Sequence, residues 1–216
     1  MDQKGSSFKD EAIDFLKDLA IIIIIVVLVR TFIAMPFQIN GQSMYESYYD
    51  REFIIVDRFS YLIWNPDRGD VVVFKPHVSD TKEYFLKRIV GLWWDTLKIE
   101  NGEVFLKKKW ESSFTQLDEK YLSKENKWNT SVNWGKEKQE YIIPEGEYFV
   151  MWDNRNHSSD SRVCFSRCDK VPYSIKKPSI TWKVFLDFGY FDFRTFSFLH
   201  PDLGIDTKPR FFNSPS

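Results

Sequence analysis

Hydrophobic positions are spread unevenly along the 216 residues of the chain. Residues 1–18 are polar, with Lys4, Lys9 and Lys17 set among Asp2, Asp10, Glu11, Asp14 and Asp18. Leu19 to Val29 then runs through eleven residues without one polar side-chain atom. Arg30 and Thr31 interrupt the run, and Phe32 to Phe37 is apolar again. From Leu19 to Phe37 there are 19 residues with one charge, close to the roughly 20 that a helix needs to cross a bilayer. Arg30 lies late enough to snorkel to an interface. The pattern predicts an uncleaved transmembrane anchor over 19–37. A core helix would keep a polar face, and Phe32 two residues before Ala34 spoils a small-x-small cleavage site. Three lysines precede the run and no Lys or Arg occurs in 31–50, so the positive-inside rule places the N-terminus in the cytoplasm.

From residue 38 the pattern shifts to short β-branched and aromatic runs. Phe53–Val56, Val71–Phe74, Tyr84–Val90 and Glu147–Trp152 read as strands, and Asn65–Asp70 reads as a turn. Residues 96–140 are polar and weakly periodic, with Lys107-Lys108-Lys109, Glu119-Lys120 and Lys124–Lys127, and read as an insertion on the side of the core. The tail is aromatic and then Pro-rich, and is expected to be partly ordered. The expected organisation is an N-terminal segment (1–18), an anchor (19–37), a β-core in two parts (38–95 and 141–189), an inserted region (96–140) and a tail (190–216). The fold class is mainly β, a sandwich or barrel-like arrangement rather than a doubly wound sheet.

Composition narrows the function classes. Thirty basic against 31 acidic residues leave a net charge of −1, so no surface built for a nucleic-acid backbone is implied. Two cysteines, Cys164 and Cys168, exclude a disulfide-rich scaffold and a four-cysteine zinc site, and leave a single disulfide or two free thiols open. His77, His157 and His200 match no metal-ligand spacing, and neither metal nor cofactor is expected. One pairing is odd: the chain has nine glycines and eight tryptophans, where glycine is ordinarily ~7%.

Three segments carry candidate chemistry: Ile39–Met44, Tyr84–Gly91 and Asp153–Arg162. In the second, strand alternation puts Phe85 and Lys87 on one face, with the ammonium beside apolar surface. Desolvation lowers a lysine's pKa, and a neutral lysine is able to take a proton from a serine hydroxyl. The third segment holds two acids, three hydroxyls and two arginines in ten residues, enough to brace itself through Asp–Arg hydrogen bonds. Taken singly, Lys87 also reads as an ordinary strand-edge lysine, and the third segment as a polar loop.

Together and in order, the segments resemble bacterial type I signal peptidases, membrane-anchored Ser–Lys proteases. Pro36-Phe37-Gln38-Ile39 with Gly41-Gln42-Ser43-Met44 looks like the family's nucleophile box. Arg68-Gly69-Asp70-Val71-Val72-Val73-Phe74 resembles its R-G-D-V-V-x-F strand, and Leu86–Leu92 its lysine box. Asp153 to Arg162 matches D-N-R-x-x-S-x-D-S-R at every specified position. The resemblance covers about residues 12–189 and implies a signal-peptidase-like β-fold of coiled antiparallel sheets behind one transmembrane helix. It implies Ser43 as nucleophile, Lys87 as general base and Ser158 as the hydroxyl that orients the lysine. Arg88 with Asp153, and Asp160 with Arg162, would be braces. Phe37, Ile39, Met44, Phe85 and Leu86 would line shallow pockets for the small residues of A-x-A cleavage sites. The Ser43 N–H would meet the oxyanion, and Gly41 lacks the side-chain donor that some relatives place there. The implied partners are preproteins with signal peptides, the lipid bilayer and a nearby secretion translocon. The implied location is the cell membrane, single-pass, with the catalytic domain extracytoplasmic. The inserted region 96–140 would be non-catalytic. Two other readings are a Ser–Lys self-cleaving repressor relative, which normally lacks an anchor and the last box, and an anchored β-domain that binds partners without catalysis.

The departures from the family share a direction. Glu46 and Ser47 replace a Pro-Thr after the nucleophile box, which loosens the chain there. Trp152 stands for the glycine before D-N-R, Trp94 for the glycine after the lysine box, and Trp182 for that of a late strand. Trp64 lies where relatives often carry glycine, and Trp93 is next to Trp94. Some bacterial lineages read UGA as glycine where another translation table writes tryptophan. Several or all of the tryptophans are therefore expected to be glycine in the living cell.

Overall fold

The computed structural model describes residues 8–30, 34–57, 59–76, 83–131, 138–156, 159–166, 172–207 and 209–211. Helix α1 (Phe8–Leu28) begins well before the apolar run. Its first half carries Lys9, Glu11, Asp14, Lys17 and Asp18, with a Lys17–Asp14 ion pair at 2.9 Å one turn apart. Only Leu19–Leu28 is uninterruptedly apolar, about 15 Å of helix at ~1.5 Å per residue against a bilayer core of ~30 Å. Among the described residues no helix is long and apolar enough to cross a membrane. The anchor expected over 19–37 is therefore not one spanning helix. By Ala34 the chain has entered strand β1 (Ala34–Gln38), where Pro36, lacking an N–H, is incompatible with a helix interior. Phe37 belongs to that strand.

The remaining elements are mostly β. They are β2 (Phe53–Asp57), the short helix α2 (Phe59–Ile63), β3 (Val71–Phe74), β4 (Phe85–Gly91), β5 (Thr96–Glu100), β6 (Glu103–Lys107) and β7 (Thr115–Gln116). There follow β8 (Lys138–Ile142), β9 (Glu147–Met151), β10 (Ile175–Lys176), β11 (Ile180–Gly189) and β12 (Arg210–Phe211). The larger sheet runs β1-β2-β11-β3-β4-β9-β10, with β12 on β11, and the smaller runs β7-β6-β5-β8. Every pairing is antiparallel. Pro36 is tolerated in β1 because β1 is the edge of its sheet. All four residues of β3 are buried, as a β-branched run covered on both faces should be.

Three apolar clusters form the core. Val72, Phe74, Ile89 and Val150 anchor the first. Val90, Phe149 and Met151 of the large sheet meet Leu97, Ile99, Val104 and Leu106 of the small sheet in the second. Ile54, Val56, Val71, Val73 and Val184 form the third, beneath the loop that follows β1. The polar stretch 96–140 thus contains most of a sheet that alternates inward and outward, and its 140 boundary falls inside β8. The tail folds back on itself through Asp192–Ser197 and Leu199–Asp206 bridges. His200 Nε2 reaches the Asp50 carbonyl at 2.9 Å.

Candidate active site

Strand β4 delivers Lys87 and Arg88 to opposite faces of the larger sheet, paired across to Val72 and Val71 of β3. Lys87 is 1% exposed. Its Nζ lies 4.7 Å from the Phe85 ring centre and 3.9 Å from that of Trp152, and it donates to the Leu86 carbonyl at 3.2 Å. Burial pushes the Lys87 amine well below the ordinary lysine range, and the Asp160 carboxylate opposes the shift only in part. The apolar neighbours, Phe85 among them, strip water from the nitrogen.

Arg88 is buried against Asp153. Its Nε donates to Asp153 Oδ1 at 2.9 Å and its Nη2 to Oδ2 at 2.6 Å, the fork-to-carboxylate geometry that arginine favours. Its Nη1 holds the Gly69 carbonyl at 2.8 Å, and its charge lies 4.1 Å from the Tyr121 ring centre. Asp160 accepts the Arg162 Nε at 2.9 Å and Nη2 at 2.8 Å, as well as the Trp152 N–H at 3.2 Å. Ser161 Oγ accepts the Val150 N–H at 3.0 Å. The loop after β9 is thereby fastened at both ends to the strands it leaves.

Ser43 sits, half-buried, in the loop joining β1 to β2. That loop is closed by Ile39 N–H to the Glu52 carbonyl at 2.8 Å and Arg51 N–H to the Ile39 carbonyl at 2.9 Å. Gly41 N–H donates to Asp50 Oδ1 at 2.7 Å. The Asn154 N–H donates to the Ser43 carbonyl at 3.1 Å, and Asn154 Nδ2 donates to the Gln42 carbonyl at 3.2 Å. From the tail, Arg210 Nη2 reaches the Ser47 carbonyl at 2.8 Å. Ser43 and the Asp153–Arg155 segment are thus held together by backbone.

Ser43 and Lys87 line one pocket of about 690 Å³, with Phe37, Ile39, Phe85 and Leu86 among its walls. Met44 does not line it. It is 1% exposed, in the core beside Tyr48 and Val184, because an apolar side chain following a solvent-facing serine turns inward. Ser158 and His157 lie outside the described residues, as does Cys168, while Cys164 is disulfide-bonded. Ser159 lines the pocket.

As real tryptophans, Trp152 and Trp94 are expected to crowd the Ser43 region. Trp152 does line its pocket and Trp94 does not, while the contact of Trp152 with Lys87 and the role of Arg155 were not foreseen from sequence. Trp152 walls the pocket directly against the lysine. Arg155, 0% exposed, pairs with Glu119 of the inserted region, and its N–H donates to Asn126 Oδ1 at 2.8 Å. Arg162 Nη1 likewise holds the Ser131 carbonyl at 2.9 Å. The motif made Arg155 conspicuous, but nothing in the chain pointed to a partner 36 residues upstream. Among the described residues no cluster of His, Cys, Asp and Glu is suited to hold a metal ion.

Compared with known proteins, residues 12–174 match the family described as "Signal peptidase, peptidase S26". Signal peptidase I P of Bacillus subtilis subsp. natto is 34% identical over 165 residues, spanning 75% of this chain and 84% of that one. Signal peptidase I of Bacillus amyloliquefaciens is 31% identical over 161 residues, spanning 74% and 83%. Signal peptidase I S of Bacillus subtilis (strain 168) is 30% identical over 163 residues, spanning 75% and 84%. A crystal structure of a signal peptidase I from Enterococcus faecalis V583 aligns with a TM-score of 0.41 at 22% identity, over 56% of this chain and 98% of that chain.

Proposed function

Because the chain belongs to the signal peptidase family, peptidase S26, and is a serine peptidase, we propose that it cleaves N-terminal signal peptides from exported preproteins with Ser43 as nucleophile and Lys87 as general base. The observation that carries this reading is the buried Lys87 amine, depressed in basicity, in the same pocket as the Ser43 hydroxyl.

Neutral Lys87 Nζ takes the proton from Ser43 Oγ as the oxygen attacks the scissile carbonyl carbon. The carbonyl oxygen becomes an oxyanion met by the Ser43 N–H; one such donor is worth ~3 kcal/mol of barrier stabilisation. The resulting Lys87 ammonium gives its proton to the departing amine, leaving an acyl-enzyme on Ser43. Water, deprotonated by the again neutral Lys87, attacks that ester; the acyl–Oγ bond breaks, the Lys87 ammonium returns its proton to Ser43 Oγ, and the signal peptide leaves as its carboxylate. The Arg88–Asp153 and Asp160–Arg162 pairs brace the walls, and Ser158 is assigned the hydroxyl that orients the lysine.

The pocket is apolar where Phe37, Ile39, Phe85 and Leu86 line it. It favours small side chains at the first and third positions before the cut, since larger ones overlap its walls. The apolar Leu19–Leu28 half of α1 is exposed and meets the membrane surface, holding the β-core beside it. Tethering to the surface where signal peptides emerge, beside the secretion translocon, raises their effective concentration.

The test is cleavage of a preprotein carrying an Ala-x-Ala site by the full chain, Ser43→Ala and Lys87→Ala. Loss of the base is expected to lower kcat by ~10²–10⁴-fold, and loss of the nucleophile by at least as much. Equal processing by all three proteins rejects the assignment.

A further inference from the structure

Two tryptophans occupy backbone positions that suit glycine. In the turn from Leu92 to Asp95, the Asp95 N–H donates to the Leu92 carbonyl at 3.1 Å, and the third residue, Trp94, has φ 71°. In the turn from Asn126 to Asn129, the Asn129 N–H donates to the Asn126 carbonyl at 3.4 Å, and Trp128, again third, has φ 61°. A positive φ at the third position is left-handed backbone, where a Cβ crowds the chain and glycine does not. Little offsets that crowding. Trp94 is 41% exposed and Trp128 63%, and the described ring contacts of both are with lysine side chains. Arg51 has a similar φ of 65°, but its guanidinium is held by Asp202 and packs on Tyr190.

A third tryptophan is misplaced for a different reason. Trp152 walls the pocket beside Lys87, its ring centre 3.9 Å from Nζ. Among the described residues its buried indole N–H has no hydrogen-bond partner, whereas a buried indole normally finds one. The ring occupies space that a substrate side chain and the base would share. Trp182 packs between Phe37 and Tyr84 and Trp93 packs on Tyr148, so neither is singled out.

We propose that residues 94, 128 and 152 are glycine in the protein as its own cells make it, the codon UGA being read there as glycine, and that glycine at 152 opens the pocket beside Lys87. One codon reassignment accounts for three observations: two left-handed turn positions and a buried indole N–H without a partner among the described residues. Glycine at 94 and 128 relieves the turns. Glycine at 152 removes the indole, leaving room for the small side chain that precedes the cut. The effect on the pocket rests on the peptidase reading; the identity of the residues does not.

Peptide mass mapping of the protein isolated from its native cells tests the identity. Peptides covering 94, 128 and 152 are expected to be lighter by the difference between a tryptophan and a glycine residue at each position. Tryptophan masses at these positions overturn the inference. In a second arm, full-length recombinant protein with Trp152→Gly is compared with the tryptophan form on a preprotein with an Ala-x-Ala site. A rise in kcat/KM of tenfold or more is expected, and an unchanged or lower value overturns the role of residue 152. Glycine masses together with no cleavage by either form would count against the peptidase reading instead, while upholding the residue identities.

Discussion

An ammonium at the Lys87 position would be stripped of water on nearly all sides, with the Asp160 carboxylate as partial compensation. The folded state therefore holds this amine neutral at a pH where the unfolded chain protonates it. As pH falls below the ordinary lysine value of about 10.4, the unfolded state gains a proton first and native stability declines. The decline continues down to the depressed folded value and then levels off. Lys87→Met removes this loss, so the variant is expected to be more stable than the parent at pH 7 and about equally stable above pH ~10.4. Urea unfolding at the two pH values checks it, and a variant less stable at pH 7 would show that the amine is not desolvated. Phe85 two residues before Lys87 made this burial legible in the sequence. The Trp152 ring on the other side comes from a strand end 65 residues away in the chain; the resemblance put Trp152 near Ser43, and the fold adds its contact with Lys87.

At the scale of elements, β4 and the loop after β9 act as one unit. Adjacent side chains of β4 serve opposite faces, one an amine buried in the pocket and one a guanidinium paired with Asp153. The strands Val71–Phe74, Phe53–Val56 and Glu147–Trp152 could be read almost to the residue, since β-branched runs between turn residues have few other uses. The stretch 96–140 was read as an accessory because its lysine-rich turns mask the alternation in β5 and β6. Glu119 and Asn126 show that it reaches the back of the candidate site through Arg155. Glu119→Ala leaves the Arg155 guanidinium buried without its carboxylate, which should cost ~3–5 kcal/mol of stability. Glu119→Gln keeps an acceptor and should cost less. In conditions where both variants remain folded, kcat is expected to fall more than KM changes, since Arg155 adjoins the Asn154 that holds Ser43. Denaturant titration and steady-state kinetics of both variants provide the check, and unchanged kcat in Glu119→Ala would remove the inserted region from any positioning role.

Across the whole molecule, a β-body of two packed sheets is joined to an exposed helix whose second half is apolar. The hydropathy run was evident in sequence, but its partition was not. Pro36 and the pairing of Ala34–Gln38 with β2 claim its last residues for the sheet, leaving the helix short. If Leu19–Leu28 meets lipid, full-length protein should float with phospholipid vesicles, and Ile23→Glu with Val27→Glu should leave it in the aqueous fraction. Co-flotation of the double variant at the parent's level would assign membrane contact elsewhere. The central claim, an uncharged lysine serving Ser43, is tested most directly by NMR titration of the Lys87 side chain in the intact protein alongside the pH dependence of kcat/KM. The account predicts a Lys87 pKa well below the ordinary ~10.4, matched by an acidic limb of kcat/KM at the same pH. A Lys87 that titrates at the ordinary value, with the activity limb elsewhere, would contradict it.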